Sequence, residues 1–260
     1  MYFDTHAHYD DKRFNEDRDE LLLSMKAAGV TLILNSASSL RSAKFSLKMA
    51  DKYPFVYASV GVHPHDSKSM TDETAAELEE LLRHPKAMAV GEIGLDYHYD
   101  FSPRDIQRKR FREQLELARR AKKPVIIHER ESLTDTLETI NDFDDLLGVF
   151  HCFSGSWETA KIILDKGWYL SFTGVVTYKN ARKSIEVLEK MPADRIMIET
   201  DCPYLSPEPM RGRRNSSLHL PYIAEKIAEV RGNTAEEIAA LTMEDGKRFF
   251  GIAGREGIGS

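Results

Sequence analysis

Eight short apolar runs constrain this chain more than any other feature. They fall at residues 2–5, 31–35, 55–62, 87–91, 124–128, 147–151, 168–172 and 195–199, and most are apolar at successive rather than alternate positions. A strand that is apolar on both faces belongs in a parallel sheet, buried between a core and covering helices. The stretches between the runs read as helices. Leu21, Leu22, Met25 and Ala28 share one face, as do Phe111, Leu115, Ala118 and Ala121, and Ile223, Ile227 and Val230. Ser102-Pro103 reads as a hydroxyl cap before a proline in the first helical position, and Thr234-Ala-Glu-Glu237 has the spacing of a capping box. Strict alternation of eight strands with helices, joined by right-handed crossovers, predicts an α/β fold of the closed (β/α)8 barrel type; a doubly wound open sheet is the alternative.

A chain of 260 residues suits one large domain of this class, expected over 1–254, with the glycine-rich 255–260 as a frayed tail. No apolar stretch approaches the roughly 20 residues of a spanning helix, so no membrane partner is expected. Two cysteines, Cys152 and Cys202, are too few for a disulfide framework and fit a reducing compartment. The expectation is therefore a cytoplasmic monomer with no obligate protein partner. A net charge of −6 argues against a chain that holds nucleic acid by its overall field. A polyanionic substrate would need locally clustered cations or a bound metal.

Metal-type residues recur where the apolar runs end. His6 and His8 close the first run, two positions apart, and side chains two apart on a strand face the same side. Glu92 follows the fourth run, His128 ends the fifth, His151 ends the sixth and Asp201 follows the eighth. In a parallel α/β barrel the loops after the strands build the active face, so these residues meet at the C-terminal face although they are distant in sequence. Six such side chains are more than one ion needs. Two ions are served if Glu92 bridges them, one taking His6, His8 and Asp201, the other His128 and His151, each with open positions for water and substrate. The mixed shell suits zinc, manganese, iron or cobalt, and magnesium less naturally. Cys152 and Cys202 each follow a candidate ligand, but in extended backbone they would face away from it, as small buried apolar residues. His63 and His65, after the third run, lie at the same rim; His63 reads as a substrate-contacting or supporting group and His65 as structural.

The segments Phe3-Asp-Thr-His-Ala-His8, Gly91-Glu-Ile-Gly-Leu-Asp-Tyr97, His151-Cys-Phe-Ser-Gly155 and Glu199-Thr-Asp-Cys-Pro-Tyr-Leu-Ser-Pro207 resemble the TatD family of metal-dependent deoxyribonucleases, within the wider amidohydrolase superfamily. The likeness runs from Asp4 to Phe250. It implies a distorted (β/α)8 TIM barrel, a divalent-metal centre and hydrolysis of DNA phosphodiesters, with 3′-to-5′ exonuclease action on single strands described for some members. Carried over motif by motif, the ligands are the same six: His6, His8, Glu92, His128, His151 and Asp201. The sequence departs from the family pattern in the string after His128, in the residue after Asn215, and at Asp245, where asparagine is common. These departures leave the metal site untouched and bear on substrate preference.

The mechanism expected is attack on phosphorus by a metal-held hydroxide, with Asp201 accepting its proton and Glu92 holding the two metals at working separation. Arg130, beside His128, and Arg211, Arg213 and Arg214, after the eighth run, are rim cations able to contact the phosphates of DNA. The basic run from Arg104 to Lys123 reads as a solvated helix face. The rival enzyme reading keeps the metals and changes the substrate to an amide or ester, such as an aminoacyl-tRNA. A third reading is a non-catalytic metal or nucleic-acid scaffold, which need not retain a proton acceptor such as Asp201.

Overall fold

The structure is a computed structural model and describes residues 1–252; the expected tail at 255–260 lies outside the described residues. Every one of the eight apolar runs forms a strand: β1 Tyr2–Ala7, β2 Val30–Asn35, β3 Val56–Val60, β4 Ala87–Asp96, β5 Val125–Arg130, β6 Gly148–Phe150, β7 Tyr169–Phe172 and β8 Ile196–Ile198. Among the described residues the α-helices are α1 Arg18–Ser24, α2 Leu40–Lys52, α3 Asp72–Leu81, α4 Arg104–Ala121, α5 Leu133–Ile140, α6 Trp157–Asp165, α7 Arg182–Lys190, α8 Leu220–Arg231 and α9 Ala235–Phe250. The strands lie side by side in sequence order from β1 to β8, and β1 packs again on β8. This is the (β/α)8 barrel order. A doubly wound sheet would reverse its strand order at a switch point, and no reversal occurs.

Contacts divide the chain into two compact units, one of residues 1–34 with 152 onward, the other of residues 35–151. In the first, α9 covers β1 and β8. Gly246 permits that approach, because a Cβ there would come within 2.6 Å of the Phe3 ring. Phe250 packs on the same ring at 5.7 Å between centroids. In the second unit β4 is the longest strand and is buried at every position. Its pairing with β5 shifts register between Val90 and Ile93, and Gly94, at φ +142°, could carry no side chain, since a Cβ would fall 1.9 Å from the carbonyl oxygen of His128. That close approach brings the acidic end of β4 beside His128.

The helical expectations hold with two corrections. Thr234 caps α9 as expected, its hydroxyl accepting from Glu237 N at 3.2 Å while the Glu237 carboxylate accepts from Thr234 N at 2.9 Å. Ser102 does not cap α4: Pro103 stands at the cap, and the Ser102 hydroxyl instead donates to His65 O and accepts from Lys68 N. The helix expected through Ala28 ends at Ser24 and tightens into a 3-10 turn over Met25–Ala28, leaving Ala28 exposed. Gly29, at φ +80°, closes that turn. The basic face of α4 is solvated and paired, Arg104 with Asp100, Arg108 with Asp135, Arg112 with Asp142 and Arg119 with Asp145.

Candidate metal centres

In the unit of residues 35–151, three imidazole nitrogens converge on one oxygen of Glu92. His128 Nδ1 lies 2.7 Å, His151 Nε2 3.0 Å and His63 Nε2 3.5 Å from Oε1. Glu92 is 3% exposed. Its place follows from the sheet: Glu92 is on β4, His128 on β5, and His151 follows β6, whose residues pair in register with β5. His63 caps the 3-10 turn after β3, its Nδ1 accepting from His65 N. Glu92, His63 and His128 present ligand atoms close enough to one another to hold an ion.

The same strand supplies a second carboxylate. Glu92, Gly94 and Asp96 occupy alternate positions of β4 and so share a face. Asp96 is fully buried, and its Oδ2 meets His128 Nε2 at 3.1 Å and His65 Nε2 at 2.8 Å, while Oδ1 accepts from the backbone of His98 and Tyr99. Burial alone would push the Asp96 pKa up, but hydrogen bonds from His128 and His65 outweigh it and hold the group well below the usual carboxylate range. Burial likewise opposes charge on His128, and the Asp96 and Glu92 carboxylates more than compensate, raising its pKa. His63, for which burial dominates, is pushed down to about 4. His65, read from sequence as structural, thus belongs to this hydrogen-bond network.

In the other unit His6 and His8 turn to the same side as the period of a strand requires, their Nε2 atoms 3.2 Å apart. Asp201 Oδ1 lies 3.2 Å from His8 Nε2 and 4.0 Å from His6 Nε2. Backbone bonds hold this arrangement: Asp201 N donates to His6 O and His8 N to Cys202 O. Asp4, two positions before His6, is fully buried and accepts from Thr200 N, Thr200 Oγ1 and Ser217 Oγ at 2.9, 2.5 and 2.6 Å. Burial pushes its pKa up to about 7 despite those hydrogen bonds. Glu199, also buried, accepts from Cys152 N and from Ser171 Oγ.

The cysteines separate. Cys202 is buried and its thiol pKa is raised by that burial, whereas Cys152 is only half-buried, against expectation. The premise of extended backbone fails there: Cys152 has φ 48° and Asp201 φ 53°. Of the rim cations, Arg130 is exposed and stacks over the Tyr99 ring at 4.7 Å, Arg211 stacks over Tyr178 at 4.0 Å, and Arg213 is exposed. Arg214 is committed elsewhere, paired with Asp17 and stacked on Phe14.

Nitrogen and oxygen donors gathered in this way, largely out of water, suit a borderline divalent cation. Residues 3–251 match the family described as TatD related DNase. The chain belongs to that family. It is 43% identical to a protein named uncharacterized metal-dependent hydrolase YabD of Bacillus subtilis, over 97% of this chain and all of that one. It is 34% identical to a protein named 3′-5′ ssDNA/RNA exonuclease TatD of Citrobacter koseri, over 96% of this chain and 99% of that one. The crystal structure of YJJV, a TatD homologue from Escherichia coli, superposes with a TM-score of 0.90 at 30% identity, covering 96% of this chain and 98% of that one. The chain is thus a TatD-type metal-dependent hydrolase with the expected (β/α)8 barrel. No helix among the described residues is long and apolar enough to cross a membrane.

Proposed function

We propose that this TatD-family hydrolase cleaves the phosphodiester bonds of nucleic acid, working from the 3′ end of single strands, and that it uses two divalent cations. His6, His8 and Asp201 would hold one and His128 and His151 the other, with Glu92 a ligand to both. Zinc, manganese, iron or cobalt suits these donors better than magnesium. The observation that carries the reading is the convergence of three imidazole nitrogens on Glu92 Oε1. Relatives named as 3′-5′ ssDNA/RNA exonucleases support the choice of substrate.

Divalent cations in such a site neutralise phosphoryl oxygens and lower the pKa of water. The chain's own residues do the rest. Asp201, next to two imidazoles and partly open to solvent, accepts the proton of the attacking water. Asp96 takes the Nε2 hydrogen of His128 and so fixes the ring with Nδ1 on the Glu92 side, the atom that would serve as a metal ligand. His63, kept neutral by burial, can donate one hydrogen bond to a substrate oxygen without adding charge. Arg130, Arg211 and Arg213 supply the local positive charge that a chain of net charge −6 otherwise lacks. The family match over residues 3–251 supports reading 1–254 as one hydrolase domain. Cys152 and Cys202, present as thiols, support a cytoplasmic setting. We take the working unit to be a monomer.

The test is a side-by-side assay of metal-loaded protein on single-stranded DNA, single-stranded RNA, aminoacyl-tRNA and simple amides and esters, with and without chelator. Chelator-sensitive release of nucleotides from the 3′ end is expected. Hydrolysis of the acyl substrates with DNA and RNA untouched would overturn the reading.

A further inference from the structure

We propose that Tyr99 and Phe101, together with Arg130, form a platform on which bases of a single-stranded nucleic acid stack beside the Glu92 cluster. The proposal rests on the nuclease reading above and names how the substrate strand is held.

Tyr99 and Phe101 belong to the loop between β4 and α4 and remain 47% and 56% exposed. The two rings nevertheless stack on each other, 5.3 Å between centroids and 23° between planes. Water-exposed aromatic rings held in parallel are not explained by the core, which neither of them enters. The arrangement is also built in. Tyr99 N donates to the buried Asp96, Lys68 Nζ donates to Phe101 O, and Gln107, itself buried, donates to Asp96 O and Ser102 O. His65 stands edge-on to both rings, at 5.4 Å from Tyr99 and 4.8 Å from Phe101, and bonds to the same Asp96 oxygen as His128. The carboxylate that orients the His128 ring therefore also anchors the loop bearing the aromatic pair.

Charge selects the occupant. The Arg130 guanidinium lies 4.7 Å over the Tyr99 ring, and among the described residues no carboxylate pairs with it. By contrast, the neighbouring cations Arg104 and Arg108 are tied to Asp100 and Asp135. An exposed aromatic pair with an uncommitted guanidinium offers a base one π-face and its phosphate one cation. Sequence-tolerant readers of single strands combine these two elements, since every base has a face to stack and every linkage a charge to meet. The His65 ring, edge-on to this pair, has its centroid 6.2 Å from that of His128. A base held there would adjoin the phosphate presented to the cluster.

Dissociation constants for labelled oligothymidylate and for an abasic strand of equal length, measured in EDTA, test the platform without requiring hydrolysis. The wild-type protein is expected to bind the thymine strand more tightly, and Phe101→Ala or Tyr99→Ala to reduce that preference about 5-fold or more. Phe101→Trp should retain it. A variant that merely folds poorly would weaken both strands alike and leave the ratio unchanged. A wild-type ratio near one, or a ratio unmoved in both alanine variants, overturns the proposal. Hydrolysis of the same thymine strand by metal-loaded wild-type protein is read separately, so failure of the nuclease reading is distinguished from failure of the platform.

Discussion

Around Glu92 the donors are fixed by side chains. Around Asp201 they are fixed by backbone. His128 is held between Glu92 and Asp96, and Asp96 in turn meets His65 and two amides, so the His128 ring owes its orientation to two carboxylate side chains. His6, His8 and Asp201 instead take their places because β1 and the segment after β8 exchange amide bonds, with Asp4 buried beneath as a strut to Thr200 and Ser217. Loss of the side chain that orients His128 should show in metal affinity, and loss of the Asp4 strut beneath the second arrangement in folding.

Asp201→Asn should produce the largest effect. It keeps the shape but removes the proton acceptor, so turnover should fall by about 10²–10⁴-fold while the melting temperature and the cation at the Glu92 cluster are retained. Wild-type rates in that variant would refute the assigned role. Asp96→Asn should weaken cation binding at the Glu92 cluster by about 10–100-fold, read by competition with a chromophoric chelator. If affinity is unchanged, side-chain orientation is not what prepares that cluster. Asp4→Ala offers the converse, costing about 1–3 kcal/mol in denaturant unfolding because Thr200 and Ser217 lose a buried acceptor. A loss of metal affinity with no loss of stability would erase the contrast.

The smallest effect concerns Asp245, outside both clusters. It is buried on α9, accepts from Ile196 N and pairs with Arg248, and burial pushes its pKa up to about 6 from 3.8. A carboxyl group whose pKa rises on folding stabilises the protein fully below its unfolded pKa, and that contribution is lost as the pH climbs through the folded value. Asp245→Asn cannot ionise. Its stability relative to wild type should therefore improve by about 1–3 kcal/mol between pH 4 and pH 7, measured by chemical denaturation. A flat difference over that range would mean the carboxylate is accommodated without cost.

The strands were legible because their signal is local. Apolar runs mark buried strands, and the metal-type residues at the ends of five of them can be picked out with no knowledge of their neighbours. Asp96 was missed because the apolar run stops at Gly91 while β4 continues in period two through Glu92, Gly94 and Asp96. Extending that period would have found it. Asp4 lies in phase with His6 and His8 and could have been found by the same count. The expected capping role of Ser102 failed for another reason: its hydroxyl serves a loop contact with His65, over thirty residues away, that no local motif announces. The exposure of Tyr99 and Phe101 was equally invisible, since an aromatic residue in a loop reads the same whether it packs or faces water.

The most direct test of the account is anomalous diffraction from crystals of the protein loaded with manganese or zinc. Two peaks are predicted, one contacted by Glu92, His128 and His151 and one by His6, His8 and Asp201. No peak at either cluster, or ions bound only elsewhere on the surface, would contradict it.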